Sequence, residues 1–255
     1  MEILLTNDDG IDAPGLKAVY DALAPIASVT AIAPATDQSA VGRTLSHRVA
    51  VEEHDLGYAV SGTPTDCVVV GIQALDTSFD LVVSGCNRGG NLGAYVLGRS
   101  GTVSAAVEAT FFELPAIALS MHIPAAEYDY ETFEPTVEQY ADPARVIRYL
   151  TEETRERPVF ETTDYLNVNV PLVEGPIGSL QLTEPSTTYE MDAIREDAHV
   201  VLRDRIFERI AEGTLPEPPG TDRRVVLDGN VSVSPLTAPH STSDTDALEA
   251  IVSAF

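Results

Sequence analysis

Lysine is almost absent from this chain. Lys17 is the only one, and the 15 basic residues face 40 acidic ones, for a net charge of −25. A protein that grips long nucleic acid neutralises phosphates with basic stripes, so that class of partner is excluded. Cysteine is scarce as well. Cys67 and Cys86 each sit in an apolar run without nearby histidines, which reads as two core thiols and not as a disulfide framework or a zinc knuckle. No apolar run approaches the ~18 residues of a membrane helix. The first apolar run is short and lacks a basic flank, so no signal peptide is expected and the protein reads as cytoplasmic. Missing too are a Gly-Lys-Ser/Thr phosphate loop, a dinucleotide fingerprint, a Gly-x-Ser-x-Gly elbow and any metal-binding spacing among His47, His54, His122, His199 and His240.

Apolar residues make up 44% of the 255, enough for a packed core. The length suits one large α/β domain or a domain with an arm. The acidic residues are spread along the whole chain instead of forming a tail. Such a surface suits concentrated salt, where screening weakens its self-repulsion, and a halophilic source is expected.

Along the chain, residues 2–6 read as a buried strand, 14–24 as a helix opened by Pro14, and 28–33 as a second strand closed by Pro34. That order is a βαβ unit. A hairpin fits around 48–53 and 58–61, and a helix fits 64–76. Strands are expected at 79–84, 114–120 and 166–170, and helices at 100–112 and 144–154. Beyond residue 180 the texture changes. Apolar alternation at 199–202 and 225–233 flanks an acidic, proline-rich stretch at 212–222, and 180–240 reads as strands and loops outside the main sheet. Residues 243–255 read as a last helix. The pattern predicts an α/β fold with a mostly parallel sheet and helices on both faces. Residues 1–180 form the catalytic core, and 181–255 form a C-terminal extension that is not an independent domain.

Ligands of such sheets bind beyond the carboxyl ends of the strands. Three polar clusters fall there. Asn7-Asp8-Asp9-Gly10 sets two carboxylates side by side, a repulsion that a hard cation relieves. Taken alone, the tetrapeptide is also good turn chemistry. Ala33–Ser39 offers hydroxyls for a metal or phosphate, although a polar loop serves in isolation. Ser84–Gly93 carries four glycines in ten residues, so its backbone can approach a ligand closely. Asn87 and Asn91 add neutral oxygens, and Arg88 offers a phosphate fork, although an arginine on a loop is usually solvated. Ser100-Gly101-Thr102 opens a helix, which is equally an anion site or a simple N-cap.

Ile3–Gly10, Ala33-Pro34 with Ser39, Gly62–Val68, Val83–Gly93, Ser100–Ser104, Leu166–Pro171 and Val231–Leu236 together resemble the SurE family, the survival-protein 5′/3′-nucleotidases. The match is collinear over nearly the whole chain. The resemblance implies a Rossmann-like core and one divalent metal ion per subunit, Mg²⁺ or Mn²⁺. It puts metal ligation on Asp8, Asp9, Ser39 and Asn87, and substrate contacts near Asn91, Ser100, Gly101 and Thr102. It also implies homodimers or homotetramers that exchange C-terminal segments. Arg99 stands where the family carries a ring. The expected reaction is hydrolysis of nucleoside monophosphates, with Asp8 and Asp9 as the catalytic carboxylates. Three alternatives remain open: a phosphatase of other small phosphoesters or polyphosphate, a covalent Asp8 nucleophile, and a non-catalytic nucleotide-binding oligomer. Gly10 stands where the covalent mechanism wants a second acid.

Overall fold

A computed structural model describes residues 1–129, 132–238, 240 and 251–253. The chain opens with strand β1 (Glu2–Thr6), helix α1 (Pro14–Leu23) and strand β2 (Ser28–Pro34). In β1 the side chains of Ile3, Leu4 and Leu5 are all fully buried, as expected of a parallel strand covered on both faces. Strands β3 (Val51–His54) and β4 (Gly57–Val60) form the expected hairpin, and β4 also pairs in parallel with β2. Helix α2 (Pro64–Ala74) starts in a capping box in which Thr63 and Asp66 satisfy each other's backbone amides. Then come β5 (Leu81–Arg88), the one-turn α3 (Ala94–Leu97), α4 (Gly101–Thr110), β6 (Ala116–His122), α5 (Ala141–Glu156) and β7 (Tyr165–Pro171).

The last part holds β8 (Leu180–Leu182), β9 (Met191–Glu196), β10 (His199–Asp204), α6 (Arg205–Ala211), α7 (Asp222–Leu227) and β11 (Val231–Leu236). The main sheet has nine strands in the order β3-β4-β2-β1-β5-β6-β7-β11-β8. It is parallel throughout except at the β3–β4 and β7–β11 pairs. One face packs α1 and α5 through Leu16, Val19, Ile147 and Leu150. The other packs α2 and α4 through Cys67, Val68, Val103 and Ala106. This is the α/β architecture read from the sequence.

Two expectations about the C-terminal part are corrected. First, 180–240 does not lie wholly outside the main sheet. β8 and β11 extend it, and only the β9–β10 hairpin forms a separate two-stranded sheet. Second, 225–233 is not one strand. Thr221 accepts a hydrogen bond from the Arg224 amide and caps a helical turn, which buries the adjacent Val225 and Val226. Gly229, at φ +77°, ends that turn before β11 begins. The helix expected over 243–255 lies outside the described residues apart from 251–253, which are helical. No described helix is long and apolar enough to cross a membrane.

Candidate active site

The site forms where the strand order reverses. From β1 the sheet grows toward β2 on one side and toward β5 on the other, and loops diverge there to leave a crevice. The loop after β1 is closed by Asn7. Its Nδ2 donates to the Gly10 carbonyl (2.8 Å), and its Oδ1 accepts from the Gly10 amide (3.2 Å). The tetrapeptide is therefore the turn that its composition suggested, and the turn presents Asp8 and Asp9.

Asp8 is only 3% exposed. Both its oxygens are held by the start of α4: Thr102 Oγ1 donates to Oδ1 (2.6 Å), and the Thr102 amide donates to Oδ2 (3.1 Å). Asp9 Oδ2 accepts from the Arg88 amide at the end of β5 (2.9 Å). Burial pushes the Asp8 carboxyl above its ordinary range in spite of the Thr102 bonds. Asp9 is pushed up to about 7, first by burial and then by the charge of Asp8. A pair of buried carboxylates whose ionisation is this disfavoured wants a positive partner.

The residues present fit a divalent cation. Asn87 Nδ2 donates to the Gly89 carbonyl (2.7 Å), which fixes the amide. Among the described residues, neither Asn87 Oδ1 nor Asp9 Oδ1 accepts a hydrogen bond from protein. Two carboxylates and a neutral amide oxygen are the donor set that Mg²⁺ and Mn²⁺ favour. Among the described residues, no group of three His, Cys, Asp or Glu side chains is placed to hold a metal ion, so a cation here would depend on the neutral oxygens.

Ser39 is exposed. Its amide and hydroxyl both donate to Asp37 Oδ1 (2.7 and 2.6 Å). The neighbouring Gln38 amide donates to the Asp8 carbonyl (2.7 Å), so this loop is docked against the β1 turn. Asp37 was missed in the sequence. Its charge raises both Asp8 and Asp9, which makes it a third acid bearing on the pair.

The α4 start also differs from a free anion site. Of its first amides, Thr102 serves Asp8 and Val103 serves Ser100 Oγ (3.1 Å), while Gly101 N–H has no protein acceptor among the described residues. A Cβ on Gly101 would stand 2.9 Å from both Cβ and Oδ2 of Asp8, so only glycine lets the helix approach this closely. Asn91 is buried, and its Nδ2 donates to Ser120 Oγ (2.9 Å), which leaves one amide hydrogen. Arg88 turns away from the solvated role expected of it: its Nη1 donates to the Phe133 carbonyl (3.1 Å). Arg99 lies with its guanidinium 5.2 Å from the centre of the Tyr95 ring.

Residues 3–192 match the family described as Survival protein SurE. The chain belongs to the SurE family. A protein of Haloarcula marismortui named 5′-nucleotidase SurE is 58% identical over 99% of this chain and 94% of its own length. Another of that name, from Natronomonas pharaonis, is 56% identical over the full length of both. Both come from halophilic archaea, in keeping with the acidic surface. Among solved structures, the SurE protein from Aquifex aeolicus superposes with a TM-score of 0.79 at 29% identity, covering 99% of this chain and 98% of that one. The SurE fold is thus the frame that brings together Asp8, Asp9, Asn87 and the α4 start.

Proposed function

We propose that this SurE chain is a divalent-metal-dependent phosphomonoesterase that hydrolyses nucleoside 5′-monophosphates, and by extension 3′-monophosphates, to nucleoside and phosphate. The observation that carries the reading is the buried Asp8–Asp9 pair, whose ionisation is disfavoured until a cation joins it. The relatives named 5′-nucleotidase SurE support the substrate class.

In this reading Asp8, Asp9, Asn87 and Ser39 hold one Mg²⁺ or Mn²⁺ per subunit. A bound cation of this kind polarises a phosphoryl oxygen and lowers the pKa of an adjacent water. Thr102 keeps Asp8 oriented. The Gly101 amide, the Ser100 hydroxyl and the remaining Asn91 amide hydrogen face the charge that develops on the phosphoryl group. Asp9, one of the two acids at the end of β1, is the residue suited to take a proton from the attacking water. The acting form is a homodimer or homotetramer with exchanged C-terminal segments.

The test is a phosphate-release screen over nucleoside monophosphates in molar KCl, with Mn²⁺ or with EDTA. Release that stops with EDTA is expected. Release that persists in EDTA, or none from any nucleotide, would discard the reading. Asp8→Asn should lower kcat by at least 100-fold, on the order of the loss of one electrostatic group in a buried site.

A further inference from the structure

Asn91, Leu92 and Gly93 lie in the connection between Asn87 and Ser100, and distant side chains hold their backbone. The Asn91 amide donates to Asn169 Oδ1 (2.8 Å), and its carbonyl accepts from Asn167 Nδ2 (2.9 Å). The Leu92 carbonyl accepts from Arg223 Nη2 (3.3 Å), and the Gly93 amide donates to Asp222 Oδ2 (2.7 Å). Asp222 Oδ1 accepts from the amides of Ser186 (2.9 Å) and Arg223 (2.7 Å). Arg223 Nη1 donates to Glu217 Oε1 (3.1 Å), Ser186 Oγ (3.2 Å) and the Thr188 carbonyl (2.9 Å). The side chains of Arg223 and Glu217 are each 1% exposed.

A buried ion pair is a weak source of stability, since its desolvation offsets most of its attraction. What this pair supplies is direction. Gly93 sits at φ +90°, and a Cβ there would meet Arg223 Nη2 at 2.1 Å, so the guanidinium lies directly against the loop backbone. Apolar packing cannot satisfy buried peptide groups in such a conformation, whereas a planar fork and a carboxylate can.

We propose that Asp222 and Arg223 are positioning residues of this site. From a part of the chain beyond the 3–192 that match the family, they hold the Leu92–Gly93 backbone and so set the placement of Asn91 and the start of α4. The proposal rests on the phosphatase reading above. It makes turnover depend on a segment that touches neither the metal ligands nor the phosphate.

Asp222→Asn keeps the shape and can still accept from Ser186, but it turns an amide NH₂ toward the Gly93 N–H. Arg223→Lys keeps the charge opposite Glu217 and loses the fork. Both are measured as full-length protein in molar KCl with Mn²⁺, by steady-state kinetics on AMP and GMP and by hydrogen exchange of peptides spanning 88–99. Expected are a fall in kcat of tenfold or more per folded molecule, with the smaller loss in Arg223→Lys, and faster exchange over 88–99. Either variant suffices if the other fails to fold. A lowered melting temperature with wild-type kcat and KM would make the network purely structural and overturn the proposal. If wild type releases no phosphate, the phosphatase reading fails separately, and unchanged exchange over 88–99 would still overturn the positioning role.

Discussion

At the scale of single residues, the site is dominated by two carboxylates that the fold places at a disadvantage. Asp9 is raised from 3.8 to about 7, chiefly by burial. A carboxyl whose folded pKa lies above its unfolded value contributes stability below the unfolded pKa, and that contribution is lost as pH rises through the folded one. In EDTA, wild type should therefore lose stability relative to Asp9→Asn as pH rises from about 4 to 7. Paired melting curves across that range check it, and a constant gap would remove the argument for a strained pair. Thr102 gives a second prediction. Its hydroxyl donates to Asp8 at 2.6 Å, so Thr102→Val should lower kcat about tenfold, while Thr102→Ser keeps most of it. Asp8, Asp9 and Asn87 were legible in the sequence as candidates because acids and amides after apolar runs stand out. The grip of Thr102 on Asp8 was not, because those two residues lie 94 positions apart and meet only in the folded chain.

Among the elements, α4 matters most, since its first turn is both a buried core segment and a wall of the site. Gly101→Ala should push the helix away from Asp8 and lower activity at least tenfold while the protein stays folded, because the added methyl meets the Asp8 side chain at 2.9 Å. Thr63→Ala offers the contrast. It removes the α2 capping box, should cost about 1 kcal/mol of stability, and should leave kcat unchanged. Melting curves and kinetics on both variants separate the two outcomes. The regular elements from β1 to β7 could be read from periodicity and from Pro and Gly punctuation. α3, α6 and α7 could not. They are short, and their formation depends on capping by Thr221 and Asp204 and on contacts from other parts of the chain.

The whole molecule carries 40 acidic and 15 basic residues. Among the described residues, the ion pairs are mostly between exposed side chains, where each contributes little. Stability should therefore rise with KCl as the general repulsion is screened, and a melting temperature already at its plateau in dilute buffer would refute this. By itself the sequence determined the fold class, the parallel core, the family and the strand ends where the candidate site residues stand. Those properties follow from local pattern: apolar runs of strand and helix length, turn residues between them, and acids at their ends. Only the tertiary structure decided that β8 and β11 complete the main sheet, that Asp37 bears on the acid pair, and that Asn167, Asn169, Asp222 and Arg223 hold the loop beside it. These are contacts between residues more than 50 positions apart, or the charge of a loop docked beside the pair, and no local pattern along the chain encodes them.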